Sequence, residues 1–132
     1  MLNGTQVMDR FARYALVADD NPLIRMDVQA ILTDAGFGVF TAAGVEDAME
    51  ILASRSHAIK LLFTDVQMPP GTLTGYDLAC RCARSWPEIG IIVASGASPP
   101  NPGDLPEGAV FIHKPFSADR VCTCLEQVMP HS

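Results

Sequence analysis

Asp65 ends the apolar run "KLLFT" (60–64) and opens the turn-rich stretch "VQMPPGTLTG" (66–75), so a carboxylate sits at the mouth of a strand where solvation is poor. Alone, an Asp in such a place usually caps a helix or shapes a turn. Three other apolar runs also end in groups that can do chemistry. "YALVA" (14–18) runs into Asp19 and Asp20, "GIIVAS" (90–95) closes on Ser95, and "AVFIH" (109–113) runs into Lys114. Three carboxylates brought together repel, so the cluster needs positive charge. A lysine supplies part of it, and hard oxygen donors suit Mg²⁺, which takes one or two carboxylates and fills its shell with water or phosphate oxygen. A carboxylate can also attack phosphorus to give an aspartyl phosphate. The metal and Lys114 would then hold the charge on the transferred oxygens, with Ser95 donating a hydrogen bond to one of them.

Whether these groups meet depends on the elements that carry them. The strand-length runs alternate with segments of helical period. After Asp19-Asp20, Asn21-Pro22 supplies an N-cap and a proline at the first helical position. Ile24, Val28, Ile31, Leu32 and Ala35 then share one helical face, and Gly36 is placed to stop that helix. "GVFTA" (38–42) reads as a strand and "VEDAMEILASR" (45–55) as a helix with acids in its first turn. Thr74 and Asp77 form a T-x-x-D helix start, with Leu78, Ala79, Cys82 and Ala83 facing inward. Ser117 caps a last helix that buries Val121, Cys124, Leu125 and Val128. The alternation predicts an α/β fold in which a parallel sheet is covered on both faces by helices. In such a sheet, working groups gather beyond the carboxyl ends of the strands. Asp19, Asp20, Asp65, Ser95 and Lys114 all sit there.

The chain has 132 residues, enough for one domain and one core, and 48% of them are hydrophobic. Its formal net charge of -6 argues against a nucleic-acid backbone as partner. The start "MLNGTQVMDRFARY" lacks a signal-peptide core and carries Asp9, Arg10 and Arg13, and no run reaches the length of a transmembrane helix. A cytoplasmic protein with no membrane partner is expected. Cys80/Cys82 and Cys122/Cys124 offer four thiolates, a possible zinc set. Both pairs lie in helical segments, where residues two apart point in different directions, so Cys82 and Cys124 read as small core residues and the thiols as reduced. His57, His113 and His131 form no visible ligand set, and Trp86 and Tyr76 read as packing or surface residues.

Together, "LVADDN", "LLFTDVQMP", "IIVASG" and "FIHKPF", in this order and spacing, resemble the receiver domain of two-component response regulators, of the CheY-like type. The resemblance covers about residues 14–129 and implies a doubly wound, flavodoxin-like five-stranded sheet of order 2-1-3-4-5. It implies that Asp65 is the phosphoacceptor and that Asp19 and Asp20, with Asp65 and the Gln67 backbone carbonyl, hold Mg²⁺. It likewise implies that Ser95 is the switch hydroxyl, Phe111 the switch aromatic and Lys114 the phosphate-binding lysine. The partners implied are a sensor histidine kinase or phosphotransfer protein and an unidentified downstream protein. With the sharp turn after the fifth strand, it also predicts a cis Lys114-Pro115 bond, against the prevailing trans preference. Only "PHS" follows the last helix, so the expectation is a stand-alone receiver, residues 1–132, without an output domain.

Two departures stand out. Members commonly run M-P-x-x-D-G after the acceptor, whereas here five residues separate Pro69 from Gly75. The stretch "GASPPNPGDLPEGA" (96–109) occupies the place of a fourth helix but holds Pro99, Pro100, Pro102 and Pro106 with Gly96, Gly103 and Gly108. Proline in a helix costs about 3 kcal/mol and glycine about 1 kcal/mol relative to alanine, so at most one helical turn near residues 102–105 is expected. The family's usual output and dimer surface uses this region, which predicts a monomer or weak dimer. Single residues keep blander readings: Asp19 or Asp20 as a cap beside Asn21, Ser95-Gly96 as a turn, Lys114 as a solvated edge lysine. The leading function is a phosphorylation-controlled switch that catalyses at most its own phosphorylation and dephosphorylation. A receiver-like adaptor that turns over no phosphate is the alternative. A phosphatase would need a second acid close after the nucleophile, and Val66-Gln67 lacks it.

Overall fold

The computed structural model describes residues 13–69, 71–97 and 99–129, so Asp9, Arg10 and His131 lie outside it. Five strands and four helices follow along these residues: β1 (Tyr14–Ala18), α1 (Pro22–Asp34), β2 (Gly38–Ala42), α2 (Val45–Arg55), β3 (Ile59–Asp65), α3 (Gly75–Ser85), β4 (Gly90–Ser95), β5 (Val110–His113) and α4 (Ala118–Val128). All neighbouring strands pair in parallel, in the order β2-β1-β3-β4-β5. The fold is the CheY-like flavodoxin type.

The near-continuous apolar runs follow from burial on both faces of the central strands. Leu16, Leu62, Ile91 and Val93 point to one face with Leu52, Leu78 and Cys82, beneath α2 and α3. Val17, Leu61, Phe63 and Ile92 point to the other with Val28, Leu32, Val121 and Leu125, beneath α1 and α4. Each fully buried Leu, Ile or Phe stabilises this sandwich by about 1.5–3 kcal/mol. The helix starts read from sequence are present: the Asn21 side chain accepts from the backbone N–H groups of Leu23 and Ile24, Thr74 and Asp77 form a reciprocal capping box, and Ser117 accepts from Arg120. Gly36, at φ 98°, ends the turn after α1 in a conformation that glycine adopts without a steric penalty.

Two strands differ slightly at their ends from the expected bounds. β3 begins at Ile59 and takes in Asp65, and β5 begins at Val110. Cys82 and Cys124 are buried in different clusters on opposite faces of the sheet, so the cysteine pairs cannot form one four-thiolate site. Among the described residues, no helix is long and apolar enough to cross a membrane. Between β4 and β5 the described residues form turns and no helix, with Leu105 and Ala109 packed on the cluster beneath α3. The prolines and glycines there have prevailed over any helical tendency.

Candidate functional site

At the carboxyl edge of the sheet, β1 delivers Asp19 and Asp20, β3 ends in Asp65, and the chain leaving β5 supplies Lys114. One carboxylate oxygen from each of Asp19, Asp20 and Asp65 lies within 4.8 Å of the others. Lys114 Nζ stands 3.0 Å from Asp19 Oδ2 and 3.0 Å from Asp65 Oδ1. Asp19 and Asp65 are buried, whereas Asp20 is exposed. The cis Lys114-Pro115 bond lies where the chain turns out of β5 with the Lys114 amine directed back at the acids.

Each buried acid is fixed by backbone donors. Asp19 Oδ1 accepts from the Asn21 N–H at 2.9 Å, and the Asp19 carbonyl accepts from Arg25 Nη1 at 2.8 Å. Asp65 Oδ1 accepts from the Val66 N–H at 2.9 Å as well as from Lys114. No hydrogen bond among the described residues reaches Asp65 Oδ2, yet no buried side-chain oxygen is left unpaired. Oδ2 is therefore the open oxygen of this carboxylate.

Charge and burial pull the site in opposite directions. Burial pushes the Asp65 carboxyl above its ordinary value; the Lys114 hydrogen bond opposes this, and the Asp19 charge adds to it. Burial alone would lower the Lys114 amine, but its bonds to Asp65 and Asp19 and their charges together raise it. Burial decides the direction at Asp65, whereas the two bonded carboxylates decide it at Lys114, and the cluster sets three carboxylates against one ammonium. The formal charge of the group is thus near −2, which a divalent cation would offset. In a six-oxygen shell with metal–oxygen distances near 2.1 Å, opposite ligands stand about 4.2 Å apart. Oxygens already within 4.8 Å can close on such an ion with small movements, and all are of the hard type that Mg²⁺ prefers. The residues fit.

Ser95 is buried one residue beyond Ala94, the register partner of Asp65. Its Oγ accepts from the Ala97 N–H at 3.0 Å, and its carbonyl accepts from the Lys114 N–H. Its hydroxyl makes no hydrogen bond to Asp65 in this arrangement. The Gln67 carbonyl accepts no hydrogen bond among the described residues and stays available as a donor atom. Phe111 is half-buried, with the exposed His113 ring edge-on at 5.1 Å. The longer loop borders a cleft of about 870 Å³ with Asp20 and the start of α2.

Residues 15–126 match the response regulator receiver domain family. The chain belongs to that family. It is 32% identical over 117 residues to the nitrogen assimilation regulatory protein NtrX of Azorhizobium caulinodans, a match covering 86% of this chain and 25% of that protein. It is 26% identical over 126 residues to the phyllosphere-induced regulator PhyR of Methylorubrum extorquens, covering 96% of this chain and 47% of that one. This receiver therefore spans between a quarter and about half the length of these curated relatives. Among solved structures, the receiver domain of NtrX from Brucella abortus superposes with a TM-score of 0.74 at 31% identity, covering 89% of this chain and 99% of that one.

Sequence reasoning missed several groups around the receiver's acids. Arg25 was one: its bond to the Asp19 carbonyl spans six residues and leaves no local mark. For His113 the sequence suggests only a surface or edge residue outside any ligand set, without its contact to Phe111. Thr64 and Gly75, which flank the Asp65 carbonyl, were also missed. A hydroxyl residue closing the apolar "LLF" just before Asp65 is the available signal for Thr64.

Proposed function

We propose that this receiver is a phosphorylation-controlled signalling switch that takes a phosphoryl group onto Asp65 from a histidine kinase or phosphotransfer protein. The carrying observation is the asymmetry of the Asp65 carboxylate: Oδ1 is held by the Val66 N–H and Lys114, while Oδ2 is open. In the proposed transfer Oδ2 forms the new O–P bond as the donor's P–N bond breaks, and the imidazole leaves with its electron pair and takes a proton from water. Asp19, Asp20, Asp65 and the Gln67 carbonyl would hold Mg²⁺, which when bound supplies positive charge to the transferred oxygens. Lys114 keeps its proton throughout, so its ammonium faces the same charge. The Ser95 hydroxyl, once turned from the Ala97 N–H, donates to a phosphoryl oxygen, and Phe111 moves into the space left. The activated state then addresses a downstream protein through the face built by β5 and the irregular segment before it.

Incubation with Mg²⁺ and a small acyl phosphate tests this reading by intact mass. One labile phosphoryl group should be gained by the wild type and none by Asp65→Asn. No gain by the wild type would make the chain a receiver-like adaptor, many turnovers per chain would make it a phosphatase, and labelling of the Asn variant would put the acceptor elsewhere.

A further inference from the structure

A single peptide plane, joining Asp65 to Val66, is pinned at both ends. Its N–H, on Val66, donates to Asp65 Oδ1 at 2.9 Å and so sets which carboxylate oxygen is occupied. Its carbonyl, on Asp65, accepts from the Thr64 hydroxyl at 2.8 Å. Thr64 is fully buried. On the other side of that carbonyl lies the start of α3: a Cβ built on Gly75 would stand 1.9 Å from the Asp65 oxygen and 3.0 Å from Val66 Cα. The Gly75 N–H donates in turn to the Val66 carbonyl at 2.9 Å. The plane therefore cannot shift toward α3, and rotation the other way costs it the Thr64 bond.

From this geometry we infer that Thr64 is a positioning residue: by anchoring the Asp65 carbonyl it holds the Val66 N–H on Oδ1 and leaves Oδ2 as the attacking oxygen. Thr64 touches no reacting atom and acts through the peptide plane alone. A planar amide transmits the constraint because rotation at one end rotates the other. Without the hydroxyl the plane can tilt, the Val66 N–H loses its aim, and the carboxylate can turn about the Cβ–Cγ bond away from the orientation that this N–H holds. A misaimed nucleophile is costly: displacements near 1 Å can lower a rate by about a hundredfold.

The inference rests on Asp65 being the phosphoacceptor, and its test separates the two claims. Thr64→Val keeps the shape and removes the donor; Thr64→Ser restores the donor. In Thr64→Val the maximal rate of phosphoryl gain at saturating Mg²⁺ and acyl phosphate should fall about tenfold. The Val66 amide resonance should move upfield as its bond to Oδ1 weakens, and Thr64→Ser should return both readouts close to wild type. A merely structural role would lower thermal stability while leaving the rate of the folded fraction and the Val66 amide unchanged. That result, or a Thr64→Ser variant resembling Thr64→Val, would overturn the inference. Should Thr64→Val fail to fold, Thr64→Ala gives the same two readouts, and an unmoved Val66 amide there counts against the inference. If the wild type gains no phosphoryl group the functional reading fails, and the Val66 amide still decides the role of Thr64.

Discussion

Replacing Asp65 by Asn should make the metal-free receiver more stable at neutral pH, even as it removes the group proposed to react. The Asp65 charge is attracted by Lys114 at 3.0 Å and repelled by Asp19 and Asp20, with carboxylate oxygens within 4.8 Å. At an effective dielectric constant of about 20, the attraction is about 5–6 kcal/mol and the repulsion from Asp19 about 3–4 kcal/mol. Asp20 is exposed, and at water-like screening it adds about 1 kcal/mol of repulsion. These charge terms leave only about 1 kcal/mol of net attraction. Removing a carboxylate from water costs several kcal/mol, so burial decides, in agreement with the upward displacement of the Asp65 carboxyl. Asn still accepts the Val66 N–H through its side-chain oxygen, and Lys114 keeps Asp19. The polar Asn amide bears part of the same burial cost, so only a fraction is recovered and a net gain of about 1 kcal/mol is expected, roughly 3–5 °C in Tm for a domain of this size.

The burial of Asp65 also sets the pH dependence. Asp65 titrates above its ordinary value of 3.8 in the folded protein. Between that value and the raised one the folded state binds more protons than the unfolded state, so stability falls as pH rises through the window. Asn binds no such proton. Its advantage should therefore be small below pH 4, grow through the window and level off by neutrality. Mg²⁺ at ten times its dissociation constant stabilises the wild type by about 1.4 kcal/mol and should close the gap. Urea unfolding of both proteins in chelator and in Mg²⁺, from pH 4 to 7.5, measures all three features. An Asn variant less stable than wild type in chelator at pH 7, or an advantage equal at pH 4 and pH 7, would refute the reasoning.

Lys114→Met should lower stability by about 1–3 kcal/mol, less than a deeply buried pair because the site edge meets water. Since the Lys114 amine lies above its ordinary 10.5, its contribution is intact below that value and is lost only as pH rises past the raised one, so urea unfolding should show a flat loss from pH 6 to 9. A phosphoryl mimic should change amide exchange around Ala94–Ala97 and at Phe111; unchanged exchange there would break the coupling proposed for Ser95. Gel filtration of the mimic-bound protein at micromolar concentration should still give a monomer, and a tight dimer through β5 and α4 would contradict the reading of the segment before β5.

The fold was legible because each signal is local. Apolar runs of strand length, Asn21-Pro22, the Thr74/Asp77 pair and Ser117 each announce their element within a few residues. The gathering of Asp19, Asp20, Asp65 and Lys114 was legible at one remove, since parallel strands send their carboxyl ends to one edge. What stayed hidden depends on distances between elements. Nothing in the sequence says that Lys114 divides itself equally between Asp19 and Asp65, or that the Asp65 carbonyl is wedged between Thr64 and Gly75. A polar residue in a strand reads alike whether its hydroxyl meets solvent or a neighbouring carbonyl.

The segment between β4 and β5 shows how composition redirects a surface. Its prolines and glycines forbid the helix, but the residues are anchored. Asn101 donates its N–H to the Asp104 carboxylate at 2.8 Å and accepts from the Asp104 N–H at 3.0 Å, closing a turn. The Cys80 thiol of α3 reaches the Asp104 carbonyl at 3.7 Å, a weak bond, while Leu105 packs onto the cluster beneath α3. Burial, and after it the Asp104 charge, push the α3 residue Tyr76 above its ordinary pKa. The segment thus leans on α3, and its half-buried Leu105 and Ala109 belong to the face of the sheet opposite α4. A helix in this place would have offered a rigid apolar ridge beside β5 for a second copy to pack on; an irregular chain fastened to α3 offers none. Movement of Ser95 and Phe111 at its two ends would then alter this segment and β5, the face proposed above to meet a downstream protein, and a tight dimer through β5 and α4 would count against that proposal.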